Sequence, residues 1–226
     1  RADEAEAHRE IVDHGMDLSE AAGVPASGTV RLTHDPADAV LNTVEQYDAD
    51  GVLLGWGGHR SSRRDIALGS TVDDVATEAD ADVFVEKVGT GDGGVDSILL
   101  PWTESTHAEL AAETAATIAR TTGATVDIVA VDGDGSESAQ ARLAAAEAAL
   151  TEAATDFEES VQFETRVVEG DGTVDAVVDA ADGHDVVVLG AQEEGILQRL
   201  VFGAVPERIG DRVEGTSILC QRDVGA

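Results

Sequence analysis

Lysine is almost missing from this chain. Lys87 is the only one in 226 residues, and every other basic residue is an arginine. With 46 acidic residues against 14 basic ones the net charge is -32, so a nucleic-acid backbone would find no counter-charge, and electrostatic binding of DNA or RNA is excluded. The acid is spread over helix faces and loops instead of forming a tail, so it does not mark a disordered segment. Repulsion on this scale is relieved by salt, whose screening length falls to ~3 Å at 1 M. The composition therefore reads as that of a protein of a salt-saturated cytoplasm. Cysteine occurs once, as Cys220 inside an apolar run, which rules out an intrachain disulfide and predicts a buried, inert thiol. Aromatics are 3% of the chain, leaving Val, Ala, Leu and Ile to build the core. No apolar run approaches the ~20 residues of a membrane span, and Arg1-Ala-Asp-Glu-Ala-Glu is not a signal peptide. The six histidines (8, 14, 34, 59, 107 and 184) show no metal-ligand spacing, and no Gly-x-Ser-x-Gly elbow or Cys–His pairing is visible. The reading is no enzyme, no catalytic residue and no metal.

What is present is an alternation of helical and extended patterns. Ala7, Ile11, Leu18 and Ala22 share one face of a helix over 2–22 that Gly23 and Pro25 stop. Thr29-Val-Arg-Leu-Thr33 alternates as a strand. A helix follows His34-Asp-Pro36, with Ala39, Val40, Val44 and Tyr47 facing in, then a strand at Gly51–Leu54, a helix from about Ser70 to Glu78 and a strand at Asp82–Val88. The glycine-dense stretch 89–94 is the only clear linker. Beyond it come a strand ending at Trp102, a helix with a capping box at Thr106–Glu109 closed by Gly123, and a strand at Thr125–Val131. A long Ala/Glu helix carries Leu143, Ala146, Leu150 and Phe157 inward. Strands at 161–168, Val186–Leu189 and Thr216–Gln221 alternate with helices at Thr173–Ala181 and about 204–213. Residues 95–226 thus form a complete unit, and residues 1–88 match only its last two-thirds, lacking an opening β-α-β. Short connections between alternating elements imply parallel sheets covered on both faces.

One turn occurs in both halves. Gly51-Val-Leu-Leu54 runs into Gly55-Trp-Gly-Gly58 and returns at Gly69-Ser70-Thr71, fourteen positions from Gly55 to Gly69. Val186–Leu189 runs into Gly190 and returns at Gly203-Ala204, thirteen positions on. A strand that ends in glycine and returns through a Gly-Ser-Thr helix start can present backbone N–H groups to phosphate. Gly55, Gly58, Gly69, Ser70 and Thr71 are therefore candidate anion ligands, and Arg60, Arg63 and Arg64 could add charge. Ordinary turn glycines and helix caps explain the same residues without a ligand.

These half-repeats resemble the universal stress protein family, whose nucleotide motif is Gly-x2-Gly-x9-Gly-[Ser/Thr] after the fourth strand. Gly55, Gly58, Gly69 and Ser70 follow it with ten residues in place of nine. In the second copy Gly190 and Gly203 keep the outer positions, while Glu193 replaces the middle glycine and Ala204 the hydroxyl. The family's binders also carry an aspartate at the end of the first strand, where this chain has Pro101-Trp102-Thr103. The resemblance implies strand order 3-2-1-4-5 in each doubly wound unit and antiparallel pairing of the last strands, Val83–Val88 with Ile218–Arg222, as the surface of self-association. It implies ATP or AMP as the ligand class, bound weakly or not at all, with unit two a degenerate copy. The wording around Gly55–Asp73 and Gly190–Arg208 is similar to the tandem tail of haloarchaeal amino-acid permeases of the cationic amino-acid transporter type. That similarity implies a non-enzymatic regulatory module tethered to the cytoplasmic face of a membrane by a transporter region preceding Arg1. A free-standing ATP-binding stress protein is the alternative. The missing strands imply an exposed sheet edge in unit one, and with it a dimer or larger assembly.

Overall fold

The computed structural model describes residues 2–55, 65–90, 93–132, 136–155, 160–170, 172–191 and 204–225. In chain order the elements are α1 (Ala2–Ala21), α2 (Pro36–Tyr47), β1 (Gly51–Gly55), α3 (Asp65–Glu78), β2 (Asp82–Lys87), β3 (Ser97–Pro101) and α4 (Thr106–Thr122). There follow β4 (Thr125–Asp132), α5 (Ser136–Ala154), β5 (Phe163–Glu169), α6 (Thr173–Ala180), β6 (Val186–Gly190), α7 (Ala204–Arg212) and β7 (Thr216–Gln221). The chain divides into two compact units, Arg1–Ala39 and Val40–Ala226.

The first unit holds α1 and the segment after it. Gly28 brings that segment against α1, since a Cβ there would stand 2.1 Å from Val12 Cγ1. Ile11 and Leu18, which share one face of α1, are 68% and 59% exposed. One expectation fails here, since Thr29–Thr33 is not a strand. In the order 3-2-1-4-5 a third strand pairs with a second, and the first half of this chain supplies no second strand among its described residues. An alternating sequence with no ladder beside it gains no cross-strand hydrogen bonds, and Leu32 is left 88% exposed.

The second unit is built on one seven-stranded sheet, ordered β1-β2-β7-β6-β3-β4-β5. Read from β5 to β7, the strands of the second half stand in the order 3-2-1-4-5. Every pairing is parallel except β2 with β7, which is antiparallel with Val83 opposite Gln221, Val85 opposite Leu219 and Lys87 opposite Ser217. The apolar run Ile98-Leu99-Leu100 is fully buried because β3 is covered on both faces. Ile98 and Leu100 join the core under α4 and α5, while Leu99 joins the core under α6 and α7. With few aromatics the sheet is covered at close range by small residues: Ala108, Ala111, Ala112, Ala115 and Ala116 of α4 are all buried. The helix starts one residue earlier than its capping box suggests. Ser105, not Thr106, is the N-cap, its hydroxyl accepting from the Ala108 N–H at 3.1 Å. Gly123 closes the helix at φ 80°. Tyr47, expected inside, is 62% exposed, and Phe157 lies outside the described residues.

The two halves are related by an approximate two-fold axis through the β2–β7 ladder. β1 meets β2 in the register in which β6 meets β7: Gly51 faces Asp82 as Val186 faces Thr216, and Gly55 faces Glu86 as Gly190 faces Cys220. The contacts across the axis are reciprocal. Lys87 Nζ donates to Gly210 O at 2.6 Å and Val213 O at 2.8 Å, at the end of α7. Gln221, its counterpart, donates from Nε2 to Ala76 O of α3 at 2.6 Å. Gly89 N donates to Thr216 Oγ1 at 3.0 Å, and Asp223 N donates to Asp82 Oδ1 at 2.8 Å. The lone lysine thus has a structural place. A compact ammonium with three donors satisfies two carbonyls that a helix C-terminus leaves open, at its negative end.

Candidate functional site

In an open α/β sheet the ligand crevice lies beyond the carboxyl ends of the strands, where the strand order reverses. In the second half that point lies between β3 and β6. β3 ends at Pro101 and hands over to Trp102, whose N–H donates to Val129 O of β4 at 2.8 Å. The Trp102 side chain turns inward, is 6% exposed and belongs to the core under α4 and α5. Its Nε1–H is buried without a hydrogen-bond partner among the described residues. A buried indole thus stands within Pro101-Trp102-Thr103, the stretch in which the resemblance called for a carboxylate. No oxygen at this strand end is available to a ribose or base from this side chain.

β6 ends at Gly190, and Ala191 N donates to Cys220 O at 2.9 Å. A Cβ on Gly190 would lie 2.7 Å from Ala108 N and 2.8 Å from His107 C and O. The glycine is needed because the first turn of α4 rests on it. The resemblance implied a degenerate copy at this turn, and the structure has a helix backbone there. The same test at Gly55 finds no heavy atom within 4 Å.

Other candidate residues fall as follows. Gly69, Ser70 and Thr71 lie inside α3, which begins at Asp65 and not near Ser70. They stand past the first turn, where helix N–H groups are no longer free. Ala204 is the first residue of α7. Gly58, Glu193 and Gly203, with Arg60, Arg63 and Arg64, lie outside the described residues. Cys220 is fully buried, and burial pushes its thiol up to about 12, with only Thr114 Oγ1 at 3.6 Å as a neighbour in hydrogen-bonding range. A group that stays protonated through the physiological range is not a nucleophile.

A cleft of about 730 Å³ opens at the opposite, amino ends of β6 and β7, walled in part by Val95, His184, Asp185, Arg212 and Gly215. Asp185 is occupied there as a clamp. Its Oδ2 accepts from Asp96 N and Ser97 N, each at 3.0 Å, and from Ser97 Oγ at 2.9 Å, tying the start of β3 to the start of β6. The hydrogen bond from the Asp96 N–H, with that from the Ser97 hydroxyl, holds its carboxyl below the usual range. Sequence reading missed this clamp and the Lys87 contact. The signal for the latter was the isolation of one lysine in an arginine-only chain. Among the described residues no group of three or more His, Cys, Asp or Glu side chains could hold a metal ion, and no helix is long and apolar enough to cross a membrane.

The sequence profile of the universal stress protein family matches residues 1–87 and 94–214, and the chain belongs to that family. No curated protein matches it. Among solved structures it is similar to a universal stress protein from Archaeoglobus fulgidus, 19% identical over 96% of this chain and 77% of that one, with a TM-score of 0.66. A protein of unknown function from Pseudomonas aeruginosa is 13% identical over 96% of this chain and 78% of that one, TM-score 0.58. A universal stress protein solved in complex with cAMP is 23% identical over 55% of this chain and 95% of that one, TM-score 0.45.

Proposed function

We propose that the chain is a non-enzymatic regulatory and interaction module in which the second unit takes no adenine nucleotide and the first binds ATP or AMP weakly or not at all. The observation that carries this reading is the end of β3 at the point of strand-order reversal, where Pro101-Trp102-Thr103 offers a buried indole and no carboxylate. Gly190, seated under α4, supports it. In the first unit Gly69, Ser70 and Thr71 stand within α3 instead of at its start, and β1 has no first strand beside it among the described residues. The similarity of wording to haloarchaeal permease tails supports a module on the cytosolic side of an amino-acid transporter in a high-salt cell, tethered by a region outside residues 1–226. It acts there by association with itself or with that transporter.

Calorimetric titration of the chain with ATP and AMP in molar salt tests the nucleotide part. The expected result is no binding tighter than about 100 μM, or roughly 5.5 kcal/mol, and no hydrolysis. Tighter binding that disappears in Gly58→Glu or Ser70→Ala would contradict the proposal and favour the free-standing nucleotide-binding reading, with unit one as its site.

A further inference from the structure

Past the end of β7 the chain is tied down twice in two residues. The backbone N–H of Arg222 donates to His107 Nδ1 at 3.1 Å, and the Arg222 guanidinium donates from Nη2 to Glu113 Oε2 at 2.6 Å. Both partners belong to α4. The N–H of Asp223 then donates to Asp82 Oδ1 at the start of β2, at 2.8 Å. Residues 222–223 thus form a strap from the first turn of α4 to the first half of the sheet.

The contact at His107 fixes the state of its ring. A backbone N–H can only donate, so Nδ1 must present a lone pair, and the ring is the neutral tautomer with its proton on Nε2. His107 is half-buried and is the second residue of α4. Its backbone rests against Gly190 at the end of β6, so the ring is carried on a fixed main chain. Among the described residues the charged groups gathered about this contact are Arg222 and Asp223 beyond β7, Glu109 and Glu113 on α4, and Asp82 on β2; β6 brings the uncharged Gly190.

A second proton on the ring would change the contact in two ways. Nδ1 would become a donor facing a donor, and the hydrogen bond would be lost. A positive charge would then stand at the positive end of α4 and share the strap with the Arg222 guanidinium, which already engages Glu113.

We propose that His107 is a proton-operated latch on the end of β7. As the neutral ring it closes the strap 222–223 across α4 and β2. As the imidazolium it releases Arg222, and the tie from Asp223 to β2 loosens with it. The latch couples proton concentration to the junction between the two halves. It goes beyond the proposed function, since it depends on neither a nucleotide nor a transporter.

The test is NMR of the full chain in molar salt at about pH 8 and about pH 5, on either side of the ordinary histidine value. At the higher pH the expected ring carries its proton on Nε2 alone. At the lower pH the imidazolium forms, and amide protection at Arg222 and Asp223, corrected for intrinsic exchange, falls at least about tenfold. Protection at Val187–Leu189 holds. His107→Asn, whose Oδ1 can accept in place of Nδ1 but takes up no proton, keeps Arg222 protected at both pH values; His107→Leu loses that protection at both. A ring proton on Nδ1 at the higher pH, no imidazolium at the lower one, or an Arg222 amide indifferent to the ring's titration overturns the proposal. So does a loss at low pH that His107→Asn shares, because a carboxylate of the strap would then be the titrating group.

Discussion

β1 and β6 are nearly the same strand in two settings. Each follows a helix, each ends in glycine, and each lies parallel to the last strand of its half in the same register. β6 is interior and its four apolar residues are buried; β1 is terminal, with alternate residues exposed. The difference between them therefore measures what a flanking strand and an overlying helix contribute. It teaches that a glycine kept in both copies need not serve the same purpose in each. Gly190 is fixed by the backbone of α4, whereas Gly55 has no contact of that kind among the described residues.

The comparison can be broken by paired substitutions read in denaturant unfolding. Val188→Ala removes two fully buried methyl groups, and the expected cost is about 2 kcal/mol for a site that cannot collapse. Leu53→Ala, on an exposed side chain, should stay within about 0.5 kcal/mol. Equal costs would mean that β1 is covered as β6 is. Gly190→Ala drives a methyl into the start of α4 and should cost about 1–3 kcal/mol, against close to nothing for Gly55→Ala.

The reciprocal contacts across the two-fold axis sharpen the same point at smaller scale. Lys87→Met leaves the carbonyls of Gly210 and Val213 without this donor and should cost about 1–2 kcal/mol; Gln221→Leu, which removes one such bond to Ala76, should cost about 1 kcal/mol or less. Near-additive losses in the double variant would show that the two contacts act independently. The smallest effect belongs to pH. Asp185 has a depressed carboxyl pKa in the folded state, from its bonds to the Asp96 N–H and the Ser97 hydroxyl. Its contribution is present above the unfolded value near 4 and is lost as pH falls through the lower folded value. Asp185→Asn should therefore flatten the fall of stability below about pH 4 and leave the slope at neutral pH unchanged.

Much of this architecture was legible because it rests on local signals. Apolar runs such as Ile98–Leu100 and Val186–Leu189, bounded by turns, announce buried strands, and the two Gly-ended strands announce the repeat. The β2–β7 pairing followed from that repeat once the family resemblance supplied the role of the last strands. What was not legible depended on neighbours. Thr29–Thr33 has the alternation of a strand, but pairing needs a second strand, and none stands beside it among the described residues. Ile11 and Leu18 have helical spacing, but spacing does not reveal whether anything covers them. The start of α3 at Asp65 was missed because Gly69 and Ser70 look like a helix entry, although helix continued through them. Gly190 was read as part of a degenerate copy, but that it seats the first turn of α4 was not legible, because sequence does not show which helix approaches a glycine.

Native-state hydrogen exchange on the unliganded full chain, comparing the amides of Val52–Leu54 with those of Val187–Leu189, tests the account most directly. The account predicts that β1 exchanges through local opening, at least a hundredfold faster than β6, whose amides wait for global unfolding. Equal protection of the two strands would contradict it, because β1 would then have a neighbour beyond those among the described residues.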